Sequence, residues 1–188
     1  MEKRIGYRGM RRDHCLKKVV VTGPESTGKT ALTEALALQL NAAWIPEYAR
    51  TYVETINRPY NYSDLEIIAR NQVEQEKESS ESCSQGILLM DTWLIITKVW
   101  FEVVYGSSPD WIEKYISSAE IDLFLVCSPD LPWIADPVRE NGGEMRLKLF
   151  DRYCKEIERH RFAYEIVEGF GEVRMLNALK LLKTHHIG

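Results

Sequence analysis

Lys17-Lys18-Val19-Val20-Val21-Thr22-Gly23-Pro24-Glu25-Ser26-Thr27-Gly28-Lys29-Thr30 is the stretch on which the fold turns. A β-branched apolar run leads into a complete G-x-x-x-x-G-K-[ST] loop, and Ala31-Leu32-Thr33-Glu34-Ala35-Leu36 follows as the opening of a helix. In that strand, loop, helix order the loop N–H groups and the positive end of the helix together cradle a polyphosphate. Lys29 reaches the terminal phosphates and the Thr30 hydroxyl can ligate magnesium. Gly23, Pro24, Glu25, Ser26, Thr27, Gly28, Lys29 and Thr30 are therefore the expected nucleoside triphosphate contacts, with Lys29 also in a catalytic role.

Outward from this loop, apolar strands alternate with helical periodicity. Ala42 to Pro46 reads as a short second strand, and Tyr48 to Thr55 and Ser63 to Ser82 as helices, with Glu74 to Glu81 expected on a solvated face. Gly86-Ile87-Leu88-Leu89-Met90-Asp91 is a continuous apolar run closed by an acid, the pattern of a central parallel strand buried on both faces. Helices over Thr92 to Tyr105 and Asp110 to Ile116, a strand over Ile121 to Cys127, a helix over Glu144 to His160, a strand over Tyr164 to Val167 and a helix over Phe170 to Lys183 complete the series. About five strands alternating with helices predict a three-layer α/β/α, doubly wound parallel sheet. Ligands of such sheets sit at the C-terminal strand ends.

The 188 residues make one domain of ordinary size. We read residues 17–188 as that domain, behind a basic extension over residues 1–16 carrying Lys3, Arg4, Arg8, Arg11 and Arg12. The net charge of −4 and the even scatter of charges argue against nucleic acid as a partner and for a small-molecule substrate. Cys15, Cys83, Cys127 and Cys154 form no C-x-x-C pair, so neither a zinc site nor a disulfide framework is indicated. No apolar run approaches the roughly 20 residues that span a bilayer, and no secretory signal is present, so no membrane role and a cytoplasmic location are expected. Association into a homo-oligomer is left open.

Three further groups carry chemistry. Glu47, in Trp44-Ile45-Pro46-Glu47-Tyr48-Ala49-Arg50, follows the second strand, where an acceptor faces the triphosphate. It is either a base acting beside Arg50 or an ordinary acid in a first helical turn with an i,i+3 ion pair. Asp91 holds magnesium, binds acceptor hydroxyls, or caps the next helix. Between the fourth strand and the next helix, the proline- and glycine-rich segment from Ser128 to Gly143 has the makeup of a lid. Arg139 and Arg146 are its candidates for stabilising charge on the transferring phosphoryl group. Trp44, Trp93 and Trp133 stand at strand ends or in the lid, where a flat ring can stack on a heteroaromatic; core packing is the alternative for each. Trp100 and Trp111 read as core.

Gly-Pro-Glu-Ser-Thr-Gly-Lys-Thr, Pro-Glu-Tyr-Ala-Arg, Met90-Asp91-Thr92 and Asp130-Leu131-Pro132-Trp133-Ile134-Ala135-Asp136-Pro137-Val138-Arg139, in this order, resemble the ribosylnicotinamide kinase domain of the NadR family, from about Lys17 to the C-terminus. The resemblance implies ATP and Mg2+ as cofactors, and transfer of the γ-phosphoryl group to the 5′-hydroxyl of nicotinamide riboside. It makes Glu47 and Asp91 the groups that hold or deprotonate ribose hydroxyls, Thr30 and Asp91 the magnesium contacts, and Arg139 the lid charge on ATP. Trp44, Glu47, Arg50, Asp91, Trp93, Trp133 and Asp136 become the acceptor contacts. ATP rather than GTP agrees with the lack of an Asn-Lys-x-Asp signature. No H-x-G-H signature is present, so neither NAD synthesis nor operator binding is expected of this chain. Pro137 stands where the family pattern suggests glycine, which implies a stiffer lid.

Overall fold

The computed structural model describes residues 16–135 and 141–188. Its elements are β1 (Lys17–Thr22), α1 (Lys29–Leu40), β2 (Ala43–Ile45), α2 (Tyr48–Thr55), α3 (Tyr62–Ser82), β3 (Ile87–Asp91), α4 (Leu94–Tyr105), α5 (Asp110–Ser118), β4 (Leu123–Cys127), α6 (Gly143–Arg159), β5 (Tyr164–Val167) and α7 (Gly171–Thr184). All five strands are parallel, in the order β2-β3-β1-β4-β5.

Strand alternation divides the core in two, because successive side chains leave a strand on opposite faces. Val20, Leu88, Met90, Phe124 and Val126 pack with residues of α3, α4, α5 and α6, including Leu65, Leu94, Ile112 and Ile157. Val19, Val21, Leu89, Leu123 and Leu125 pack with α1 and α7 through Leu32, Leu36, Ala178 and Leu182. The central strands are apolar on both faces for this reason. Their C-terminal ends bring Gly23, Glu47, Asp91 and Ser128 to one edge of the sheet.

The expected elements are present, with three differences of physical interest. The helix expected from Thr92 begins at Leu94, because Thr92 has φ 73° and turns the chain sharply out of β3. The strand expected from Ile121 begins at Leu123. Asp122 instead uses its carboxylate, accepting from the Lys18 N–H at 2.9 Å and the Lys17 ammonium at 2.8 Å. Glu76, expected on a solvated helix face, is buried. Donors converge on it from three elements: Lys18 Nζ at 3.0 Å, Trp93 Nε1 at 2.7 Å and the Tyr115 hydroxyl at 3.2 Å. Buried charges persist when paired and hydrogen-bonded in this way. No helix among the described residues is long and apolar enough to cross a membrane.

Candidate functional site

The loop between β1 and α1 tolerates only glycine at its start. Gly23 has φ 138°, and a Cβ there would lie 2.7 Å from the Cys127 carbonyl oxygen. Gly28, at φ 74°, turns the chain into α1. The Lys29 ammonium donates to the Pro24 carbonyl at 3.1 Å, spanning its own loop, and the Thr27 hydroxyl donates to the same oxygen at 2.8 Å.

At the first turn of α1 the Thr30 hydroxyl donates to Asp91 Oδ2 at 2.5 Å. Asp91 is almost wholly buried, and its Oδ1 has no hydrogen-bond partner. Burial first, and the negative charge of Glu47 second, push its pKa up to about 6, against the lowering effect of the Thr30 bond. The N-cap of α4 is Trp93, without a side-chain cap bond, so the helix-cap reading of Asp91 does not hold. Glu47 occupies the N-cap of α2, also without a side-chain cap bond. Arg50 pairs with Glu54 at 2.9 Å, in place of the i,i+3 partner considered for Glu47.

A single cavity of about 600 Å3 joins the loop, Thr30, Glu47 and Arg50; Asp91 does not line it and sits behind Thr30. Residues 25–30, Glu47 and Thr92 line one end, while Val53, Tyr60, Ile96, Trp100, Val103 and Val104 make the other end apolar and aromatic. Tyr60 meets the Trp100 ring edge-on, 4.7 Å between centroids at 73°. Arg58, also in the lining, is held by Asp64 through bonds of 2.6 and 2.8 Å, and Asp64 accepts as well from the Asn61 N–H and the Tyr52 hydroxyl. Those contacts, the guanidinium first, hold the Asp64 carboxyl well below the usual carboxylate range. Tyr153 on α6 also lines the cavity. Burial first, then the charges of Glu25 and Glu47, push its hydroxyl well above the ordinary tyrosine range.

The tryptophans divide differently from their sequence reading. Trp93 is 1% exposed and locked in the core with its indole N–H on Glu76, because the turn at Thr92 points it inward; it stacks on nothing in the cavity. Trp44 packs with the cluster against α1, since its neighbour Ile45 takes the other face of the short strand, and it does not line the cavity. Trp133 lies against Gly142, whose Cβ position is 3.2 Å from the indole, and is likewise outside the cavity lining. Trp100, read as core, is half-buried and lines the cavity as well as packing on the core. Tyr60 and Tyr153 drew no attention in the sequence. The available signal was the face of α4 on which Ile96, Trp100 and Val103 recur at helical spacing.

Arg146 is buried and held, so it does not swing as a lid arginine. It donates to the carbonyls of Glu25, Ser26 and Leu131 at 2.9, 2.8 and 2.7 Å. Asp136 and Arg139 lie outside the described residues, as does the basic extension apart from Leu16. The segment leading away from β4 touches the loop through Ser26, whose hydroxyl donates to the Pro132 carbonyl at 3.4 Å and accepts from the Ile134 N–H at 2.9 Å. Glu25 accepts from the Asn141 main-chain and side-chain nitrogens at 2.9 and 3.0 Å.

A family model described as an AAA domain, AAA_28, matches residues 18–174. The trifunctional NAD biosynthesis/regulator protein NadR of Salmonella typhimurium is 25% identical over 174 residues, covering 89% of this chain and 42% of that protein. The chain thus spans less than half the length of the curated relatives it matches. A crystal structure of NadR in complex with NR superposes with a TM-score of 0.78 at 26% identity, covering 93% of this chain and 53% of that one. One of NadR with NAD and AMP-PNP gives 0.73 at 25%, covering 93% and 51%. Thymidylate kinase from Ehrlichia chaffeensis, at 15% identity and a TM-score of 0.63 over 88% of this chain and 98% of that one, is a likeness of fold.

Proposed function

The chain belongs to the AAA_28 family of AAA domains, and on that premise we propose that it is an ATP-dependent kinase converting nicotinamide riboside to nicotinamide mononucleotide. One observation carries the reading: a single cavity joins a triphosphate loop and the Glu47 carboxylate, at one end, to an aromatic wall at the other, with Asp91 behind the loop on the Thr30 hydroxyl. It is supported by the NadR structures, one with NR and one with NAD and AMP-PNP.

In this reading the loop N–H groups and Lys29 hold the β- and γ-phosphates. The Thr30 hydroxyl and the Asp91 carboxylate are hard oxygen donors, and the unpartnered Oδ1 of Asp91 suits a cation completed by phosphate oxygens and water. Magnesium held there would neutralise charge on the β- and γ-oxygens. Glu47, in the lining of the loop end, accepts the proton of the ribose 5′-hydroxyl as its oxygen bonds to the γ-phosphorus; the bond to the β,γ-bridging oxygen breaks and ADP leaves. Tyr60 and Trp100 present aromatic surface to the pyridinium ring, where a cation is attracted to a ring face. Arg139 remains the proposed lid charge on the transferring group.

A nucleotide acceptor fits less well. Arg50 and Arg58 at the acceptor end are engaged by Glu54 and Asp64, and Arg70 pairs with Glu66 and lies over Trp111. The test is ADP formation from MgATP alone, with nicotinamide riboside, and with ordinary nucleosides, with product mass followed. Selective stimulation by the riboside with appearance of the mononucleotide is expected. Acceptor-independent hydrolysis would overturn the kinase reading, and stimulation by another nucleoside would move the substrate.

A further inference from the structure

A loop that binds phosphate through N–H groups must turn its carbonyls the other way, and buried carbonyls turned outward need donors. Here each has one. Pro24 O accepts from Thr27 Oγ1 and Lys29 Nζ, and Gly28 O from the Leu32 N–H at 3.0 Å. The three between them are served by two arginines from distant helices. Arg146 of α6 takes Glu25 O and Ser26 O, and Arg174 of α7 takes Thr27 O at 3.1 Å. Both guanidinium side chains are buried, at 6% and 3% exposure. Arg174 is itself fixed by the Asp130 carboxylate and by the carbonyls of Gly169 and Ser128, at 2.7 and 3.3 Å. Among the described residues, the N–H groups of Ser26, Thr27, Gly28 and Lys29 donate to no main-chain carbonyl outside the helices and strands.

We infer that Arg146 and Arg174 are positioning residues for the phosphates of the donor nucleotide, holding three successive peptide planes with their oxygens outward and their N–H groups toward the ligand. The inference rests on the kinase reading for the identity of that ligand. Its physical basis is the alternative each plane has. A peptide that loses its outward donor can flip, which sets a negative oxygen where the phosphate must sit. Arginine suits the task because one planar fork reaches several carbonyls in fixed directions; a lysine ammonium on a flexible stem does not reproduce that geometry. Arg146 also takes Leu131 O, so the loop and the segment leaving β4 are registered by one side chain.

The experiment titrates MgAMP-PNP and nicotinamide riboside separately into the wild type, Arg146→Lys and Arg174→Lys by calorimetry, with thermal unfolding of each protein alongside. The expected result is at least a ten-fold rise in Kd for MgAMP-PNP in both variants, with the Kd for the riboside within two-fold of wild type. A Kd for MgAMP-PNP within two-fold of wild type would overturn the inference. So would equal weakening of both ligands in step with a lowered unfolding midpoint, since that is how a merely structural role reads out. If Arg146→Lys does not fold, Arg174→Lys decides alone, because Thr27 O depends on it. A wild type that binds MgAMP-PNP and not the riboside sinks the acceptor assignment, and the nucleotide titrations still decide this one.

Discussion

Trp100→Leu tests the aromatic end of the cavity where sequence and structure parted. The ring is held by the edge of Tyr60 at 4.7 Å and forms part of the lining, so its orientation is set before any ligand arrives. A cation over an indole in a partly desolvated site is worth about 1–2 kcal/mol. At 1.36 kcal/mol per decade, removal of the ring lowers kcat/KM for nicotinamide riboside roughly 5- to 30-fold. Leucine keeps part of the packing against the core, and KM for ATP stays near wild type because the donor end is untouched. Initial rates with the riboside, and with its uncharged dihydro form as a control, separate charge from contact. The dihydro form should lose less. An unchanged kcat/KM for the riboside, or an equal loss with both forms, would refute the argument that this ring recognises the pyridinium.

Glu47→Gln removes the proposed base without altering its size, and kcat should fall about 10²- to 10⁴-fold with ATP affinity retained, as read by steady-state kinetics and calorimetry. Asp91→Asn should separate activity from stability. Its carboxyl, raised to about 6 in the folded protein from 3.8, binds more protons folded than unfolded between those values, so its contribution to stability falls as pH rises through that window. The amide variant is therefore more stable than wild type at pH 7.5 without magnesium, by roughly 1–3 kcal/mol. The advantage should vanish near pH 4 in denaturant titrations, and turnover should be lost at every pH. Gly23→Ala places a Cβ 2.7 Å from Cys127 O at a φ no L-residue favours, and should cost roughly 2–5 kcal/mol of stability together with nucleotide binding, as urea unfolding and calorimetry would report.

Much of this molecule was legible from local pattern. Residues 17–30 determine the strand, loop and helix, because the order of apolar run, loop motif and helix is a matter of neighbouring residues, although the close approach of Cys127 to Gly23 is not. The apolar run ending in Asp91 predicted a central strand closed by an acid, and β3 is that strand, paired to β1 in register with Asp91 opposite Val21. Helix and strand boundaries differed by one or two residues, at β4 where the Asp122 side chain captured a main-chain donor.

The aromatic and charged residues between those elements were not legible in the same way. Trp93 and Trp100 are seven positions apart on one stretch of sequence, and nothing local tells which one lines the cavity. A left-handed turn at Thr92 and the buried carboxylate of Glu76, reached from β1 and α5, draw Trp93 inward, while the approach of the α2–α3 connection with Tyr60 leaves Trp100 facing the cavity. Arg146 likewise reads as a lid residue until the fold brings it within reach of carbonyls some 120 residues earlier. The sequence by itself determined the strands, the helices and the phosphate loop, because these follow from the pattern of residues close in the chain. Only the tertiary structure decided which rings face the cavity and which guanidiniums hold the loop, because that depends on which distant donors and acceptors satisfy the rest.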